Sequence, residues 1–364
     1  MISLKSNAKN ILFFLFVFFS QFLQAEIPEG YYLSAEGKTG AELKTALHNI
    51  IRQHTILNYD TSTSVWWDTY FKTTDWHPEG YFWDMYSNNK RSTYNSSLMN
   101  REHCMPRSWW ATSDNYSSYD ANGDLVNLSP ADAEANTKKS NYPLGEVGKN
   151  SVTYTNGVVK VGANSFPGYN GTVFEPADEY KGDFARTYMY MVTCYEDYAN
   201  NWRGTGTASM LQKNTYPVFK SWAIELLLKW STNDPVSQKE INRNEGVYQI
   251  QKNRNPFIDY PELAEFIWGT KNSEQWQPEI GTSTFVVSPN PASSYVSVQI
   301  SQPEQATFII YDLSGIRLKN GKINSDGTIY IGDLNNGIYL LTIYAQNTRT
   351  VTKLIVTHEK LIQN

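Results

Sequence analysis

Glu102 and His103 stand side by side in the run Asn100-Arg101-Glu102-His103-Cys104-Met105-Pro106-Arg107-Ser108-Trp109-Trp110. The pair sets a hard oxygen donor beside an imidazole, a base whose ordinary titration lies close to neutral pH. Arginines flank it at 101 and 107. Further along, Asp124-Leu125-Val126-Asn127-Leu128-Ser129-Pro130 opens a helical-looking run that carries Asn136 and then Lys138-Lys139-Ser140-Asn141. Asparagine is a poor interior helix residue. Either the helix is short and exposed, or the Asn136 amide oxygen serves as a ligand. Two oxygen donors, with no cysteine-rich cluster and few histidines nearby, select a hard cation such as Mg²⁺ over zinc. A metal-held carboxylate, a neutral base and cationic side chains together suit hydrolysis of a phosphodiester.

The surrounding chain must place these groups. Ser129-Pro130-Ala131-Asp132 reads as a helix start, with Ser129 as cap and Pro130 at the first helical position, which puts Asn136 in the second turn. Neighbours on a regular strand face opposite sides, so Glu102 and His103 can flank one phosphate only where a strand ends or twists. Pro106 makes an irregularity there natural. Apolar spacing predicts amphipathic helices over residues 41–54, 184–198 and 216–230. The pairs Trp66-Trp67 and Trp109-Trp110 can stack bases or sugars, but in so aromatic a helical region they read as core. Arg186 and Arg254 are open to two readings: contacts to a nucleic-acid backbone, or ion pairs with Asp183 and Asp259.

The whole chain sets bounds. Its 364 residues leave room for two domains. Lys5 and Lys9, the apolar run 11–19 and the end Leu23-Gln24-Ala25 give residues 1–25 the pattern of a secretory signal, too short in its apolar part to span a bilayer. No later segment is apolar enough to anchor the mature chain. A net charge of −5 argues against a large basic face, though a bound divalent ion and a few local arginines can supply the positive field where phosphate docks. The only cysteines, Cys104 and Cys194, fall in the exported part, where a bridge is permitted. Cys104 is expected to point away from the site towards the helix beginning near Phe184 and to pair with Cys194; the alternative is two buried small hydrophobes that never meet.

Residues 26–269 are aromatic-rich, with helical stretches between Asn/Gly/Ser loops, and 270–283 are polar and linker-like. From 284 to 364 short alternating runs, at 296–300, 307–312, 328–331, 337–344 and 350–356, are broken by turn residues and predict a small β-sandwich. The expected fold is therefore α+β: a mainly helical domain followed by an all-β one.

Two resemblances sharpen this reading. The tail, through Ser288-Pro289-Asn290-Pro291-Ala292, Ile310-Tyr311-Asp312-Leu313-Ser314-Gly315, Gly337-Ile338-Tyr339 and Thr352-Lys353-Leu354-Ile355-Val356, resembles the C-terminal sorting domain of the type IX secretion system. That implies delivery to the outer surface or the medium by this machinery. The region before it resembles the bacterial endonuclease I family, whose site is a ββα-metal (His-Me finger) core. The matching pieces are residues 100–110, 124–147, 181–186, 234–237 and 253–259. The resemblance implies Glu102 and Asn136 as protein ligands of one Mg²⁺, with Mn²⁺ or Ca²⁺ fitting the same donors, and His103 as general base. The substrate would be DNA, with RNA a further one, cut with little sequence preference to 5′-phosphate products by a monomeric enzyme. In the family an arginine often stands at position 139 and a histidine at 126, where this chain has Lys139 and Val126. An arginine between the two metal ligands has no counterpart between Ser108 and Asp124. Arg101, Arg107 and Lys139 are the candidates for the phosphate clamp. A reading from another class is a surface glycan-binding or adhesive protein, which would need no Glu-His-Asn cluster and would be indifferent to chelator.

Overall fold

Leu43, Leu47 and Ile51 recur at every fourth position and bury one face of the first helix, α1 (Gly40–Ile51). The structure is a computed structural model and describes residues 27–358 apart from 29, 204–205, 207–209, 279–284, 301–302, 304–305, 313–315 and 346–347. The expected signal segment 1–25 and the end of the expected linker lie outside the described residues. After α1 come a short helix α2 (Phe71–Thr74) and a hairpin of β1 (Trp76–His77) and β2 (Tyr81–Phe82). Strand β3 (Met99–His103) then pairs antiparallel with β4 (Leu128–Asp132), and helix α3 (Ala133–Lys139) follows β4 without a break. A three-stranded antiparallel sheet of β5 (Val147–Thr155), β6 (Lys160–Asn164) and β7 (Thr172–Glu175) comes next. The first unit closes with α4 (Lys181–Cys194), α5 (Ser221–Asn233), α6 (Gln238–Gln251), α7 (Pro256–Asp259) and α8 (Leu263–Trp268).

Helix α4 is the centre of this unit. Every residue from Gly182 to Cys194 is buried, and α1, α5 and α7 pack around it. Trp66, Trp67, Trp109 and Trp110 are fully buried in the same core, as their setting suggested. Two arginines inside it are structural. Arg186 forks onto Glu240, at 2.6 and 2.9 Å, instead of pairing with Asp183. Arg254 grips Asp259, at 2.7 and 2.9 Å. Glu240 also closes the capping box of α6 with Ser237, so one carboxylate fixes both a helix end and a buried guanidinium.

The tail has its own hydrophobic core, with Val296, Phe308, Ile310, Leu341, Ile343 and Leu354 among its buried residues. Among the described residues, seven strands form two sheets. They are β8 (Val287–Ser288), β9 (Tyr295–Val298), β10 (Thr307–Tyr311), β11 (Arg317–Lys322), β12 (Thr328–Tyr330), β13 (Gly337–Ala345) and β14 (Thr348–Val356). One sheet runs β11-β10-β13-β14 and the other β12-β9-β8. The expected strands are all present, and β8 and β11 are additional. No helix among the described residues is long and apolar enough to cross a membrane.

Several expectations change. Ser129 is no cap and Pro130 starts no helix, because both lie in β4, opposite Glu102 and Arg101. Proline fits there because a two-stranded ladder leaves an outer edge that needs no donor. Asp132 takes the cap instead, accepting from the Glu134 and Ala135 N–H groups at 3.0 Å each, so Asn136 falls in the first turn of α3. The helix expected from 216 begins only at Ser221; before it Val218 adopts φ +65° and a bridge joins Leu211 to Phe219. The first unit also extends past 269. Trp276 is fully buried against Tyr260, with backbone bonds to Lys38 and Gly37.

The two cysteines do not pair. Both are free and buried. The Cys104 carbonyl accepts from the Tyr188 hydroxyl at 3.1 Å, so its strand meets the middle of α4. Cys194 lies six residues further along that helix, about 9 Å at the usual rise and beyond the reach of a disulfide. Cys104 Sγ sits against Tyr86 and Ser129, whereas Cys194 Sγ faces the Ile51 carbonyl.

Protein denatured without reductant is therefore expected to take up two alkyl groups by intact mass, and native protein none; a denatured, unreduced chain that takes up none would restore the bridge. A second expectation concerns Arg243. Its guanidinium donates to the Leu125 and Leu128 carbonyls at 2.6 Å each and to Asp75 at 2.8 Å, tying α6 to the turn before β4. Arg243→Leu strands a buried carboxylate and is expected to cost about 3–5 kcal/mol in chemical denaturation. A loss below ~1 kcal/mol, the worth of a surface pair, would contradict the assignment.

Candidate active site

The β3–β4 ladder ends at His103 opposite Leu128, and the chain then departs towards Pro106. Two further bonds hold that end. Cys104 N–H donates to the Asn127 carbonyl at 2.8 Å, and the Asn127 side chain clasps Met105 by both its backbone groups, at 2.8 and 3.1 Å. The strand end lets neighbouring residues serve one site. Glu102 and His103 both line a cleft of about 510 Å³, together with Asn136 and Ser140 from α3 and its end, and Tyr59, Tyr94, Arg101, Arg107 and Tyr116.

His103 is 5 % exposed. Its Nε2 lies 2.8 Å from the Asn122 carbonyl. A carbonyl can only accept, so Nε2 carries the hydrogen and Nδ1 keeps its lone pair. Burial pulls the imidazole pKa down to about 3, and Arg107, Lys139 and Arg101 push the same way against the Asn122 bond. The ring is a neutral base at pH 7. Tyr59 packs on it at 5.3 Å between ring centroids.

Asn122 is placed by a tight turn. A Cβ on Gly123 would stand 1.9 Å from the Leu57 carbonyl oxygen, so only glycine fits beneath that loop. The next residue, Asp124, is buried and accepts from the Tyr190 and Tyr195 hydroxyls at 2.8 Å each and from Gln251 at 3.0 Å. The run from Asp124 that looked helical is thus a buried turn locked onto α4 and α6. Asn122, Asn127 and Tyr59 escaped the sequence reading, since each acts through backbone or ring contacts that no local pattern announces.

Glu102 receives the Lys139 ammonium on Oε1 at 2.7 Å, and no other side chain donates to it among the described residues. Burial raises its pKa, with Lys139 acting in opposition. The Asn136 amide lines the same cleft and has no hydrogen-bond partner among the described residues. A carboxylate and an amide oxygen on one cleft, with no thiolate facing them, form a donor set that fits a hard cation.

Of the three candidate phosphate contacts, two lie on the cleft surface. Arg101 stacks on Tyr59 at 4.0 Å and donates to its carbonyl at 2.7 Å. Arg107 rests on Tyr116 at 4.3 Å and has no carboxylate partner among the described residues. Lys139 differs from expectation. Its side chain is wholly buried, turned inward onto Glu102 and not out to a phosphate.

The Endonuclease I family matches residues 39–262, and the Secretion system C-terminal sorting domain matches 286–357. The extracellular ribonuclease of Bacillus subtilis (strain 168) is 35% identical over 254 residues, 65% of this chain and 78% of that protein. The extracellular ribonuclease of Bacillus amyloliquefaciens is likewise 35% identical, over 255 residues, 66% of this chain and 78% of its own length. The sorting domain marks the chain for type IX secretion, to the cell surface or the medium. With a match that takes in more than half the sequence and the whole β3–β4–α3 site, the chain belongs to the endonuclease I family and is a secreted nuclease.

Proposed function

We propose that the protein is a Mg²⁺-dependent endonuclease of the ββα-metal type that hydrolyses DNA with little sequence preference and leaves 5′-phosphates. RNA is included as substrate because the Bacillus relatives are described as ribonucleases. The observation that carries the reading is the neutral, buried His103 beside Glu102, with Asn136 on the same cleft. Glu102 and Asn136 would hold the cation, and Mn²⁺ or Ca²⁺ suits the same oxygens. Once bound, such an ion supplies electrostatic stabilisation of the charge that builds on the phosphoryl oxygens.

His103 does the proton chemistry. Nδ1 accepts a proton from a water molecule as that water attacks phosphorus in line, and the P–O3′ bond breaks on the far side, the departing 3′ oxygen taking a proton from solvent water to leave as the 3′-hydroxyl. The Asn122 carbonyl holds the ring in the tautomer that leaves Nδ1 free, and it steadies the imidazolium that forms. Arg107 is the side chain placed to meet the phosphate, held by Tyr116 and not neutralised by a carboxylate among the described residues.

The roles separate in a metal titration. His103→Ala is expected to keep metal and nucleic-acid binding and to slow turnover by about 10²–10⁴ at saturating Mg²⁺. Glu102→Ala and Asn136→Ala are expected to raise the Mg²⁺ concentration needed, with partial rescue by excess metal. Near wild-type cleavage by His103→Ala under saturating Mg²⁺ would remove His103 from the chemistry.

A further inference from the structure

Lys139 has the least accessible ammonium in the site. Its side chain is 0% exposed, yet it sits one turn from the cleft-lining Asn136 on α3. Burying an ammonium costs several kcal/mol unless it is paired. The partner here is Glu102 Oε1, at 2.7 Å, with the His103 carbonyl a looser second contact at 3.5 Å. The pair therefore joins α3 to the last two residues of β3.

The other end of α3 is fastened as well. Asp132, the last residue of β4, caps its N-terminus, and its Oδ2 is held by Arg91 at 2.7 Å and Asn89 at 3.2 Å. Asn136 lies between the two fastenings. The helix stops directly after Lys139, at Ser140, whose φ of +50° is unusual for a residue with a side chain. A cation in the last turn also meets the negative end of the helix dipole.

The geometry points to Lys139 as a positioning residue that sets both the orientation of the Glu102 carboxylate and its separation from the Asn136 amide, so that the two oxygens converge on one divalent cation. This rests on the metal-dependent reading above. Lys139 does not touch the nucleic acid: it acts on the metal through Glu102.

The test measures Mg²⁺ binding by calorimetry, without nucleic acid, in the full chain and in Lys139→Met, Glu102→Gln and the double variant. Lys139→Met is expected to weaken Mg²⁺ binding by about 10–100-fold, the usual consequence of losing an outer-shell partner. In the Glu102→Gln background the same change is expected to add nothing, since Lys139 acts only through that carboxylate. Oligonucleotide affinity in EDTA is expected to be the same for Lys139→Met and wild type, where loss of a phosphate clamp would weaken it. Lys139→Gln supplies the same comparison if the Met variant does not fold. Unchanged Mg²⁺ affinity in Lys139→Met, beside a clear loss in Glu102→Gln, overturns the role of Lys139 alone, and so does an equal, additive loss in both backgrounds. Absence of Mg²⁺ binding by wild type, or full affinity in Glu102→Gln, overturns the metal reading and this inference with it.

Discussion

A buried imidazole must spend its ring hydrogen on a fixed acceptor, and in this protein the acceptor is a backbone carbonyl. The 2.8 Å contact from His103 to Asn122 decides the tautomer and aims a lone pair at chemistry, while burial keeps the ring neutral. A carbonyl can do this only if the backbone that carries it is immobile. That requirement explains the cost lavished on the turn before β4: a glycine with no room for a Cβ, an aspartate gripped by two tyrosines and a glutamine, and an arginine on the carbonyls that follow. The long helices α4 and α6 provide those partners. The core thus serves the site by holding one peptide group still.

Charge is handled in the same economical way. The chain is net acidic, with 36 acidic against 31 basic side chains, so it cannot hold polyanions by a general positive field. Most arginines of the first unit are neutralised by carboxylates or tied to carbonyls inside the fold. Arg101 and Arg107 are different: both lie on the cleft, resting on aromatic faces that fix a guanidinium without cancelling its charge, and although Arg101 also donates to the Tyr59 carbonyl, neither is paired with a carboxylate among the described residues. Both guanidinium groups line the cleft, beside the proposed base. The all-β tail, with its separate core, has no part in this design and answers to export.

The residues singled out in the sequence for their chemistry do line one cleft, whereas parts of the architecture around them differ from what local patterns suggest. Glu102, His103 and Asn136 converge on one cleft because a strand end lets adjacent residues serve one side, a resolution that the Pro106 irregularity hinted at. The tail strands were legible because alternation and turn residues are local signals. What failed were features settled by distant partners. Ser129 and Pro130 look like a helix start on their own, but pairing with β3 claims them as strand, and the cap moves to Asp132. Lys139 looks like a free cation in a polar run, and only the fold shows that it is turned inward. The cysteines are separated by the length of α4 between Tyr188 and Cys194, a distance that no spacing argument could supply.

In the proposed mechanism a divalent cation held at Glu102 and Asn136, with His103 as base, cuts phosphodiesters. Cleavage of supercoiled plasmid by the purified protein, followed in Mg²⁺, after EDTA, and after Mg²⁺ is restored, tests it most directly. Nicked and then linear DNA is expected in Mg²⁺, with arrest in EDTA and recovery on re-addition. Undiminished cleavage in excess EDTA, or intact plasmid and intact RNA in saturating Mg²⁺, would contradict it.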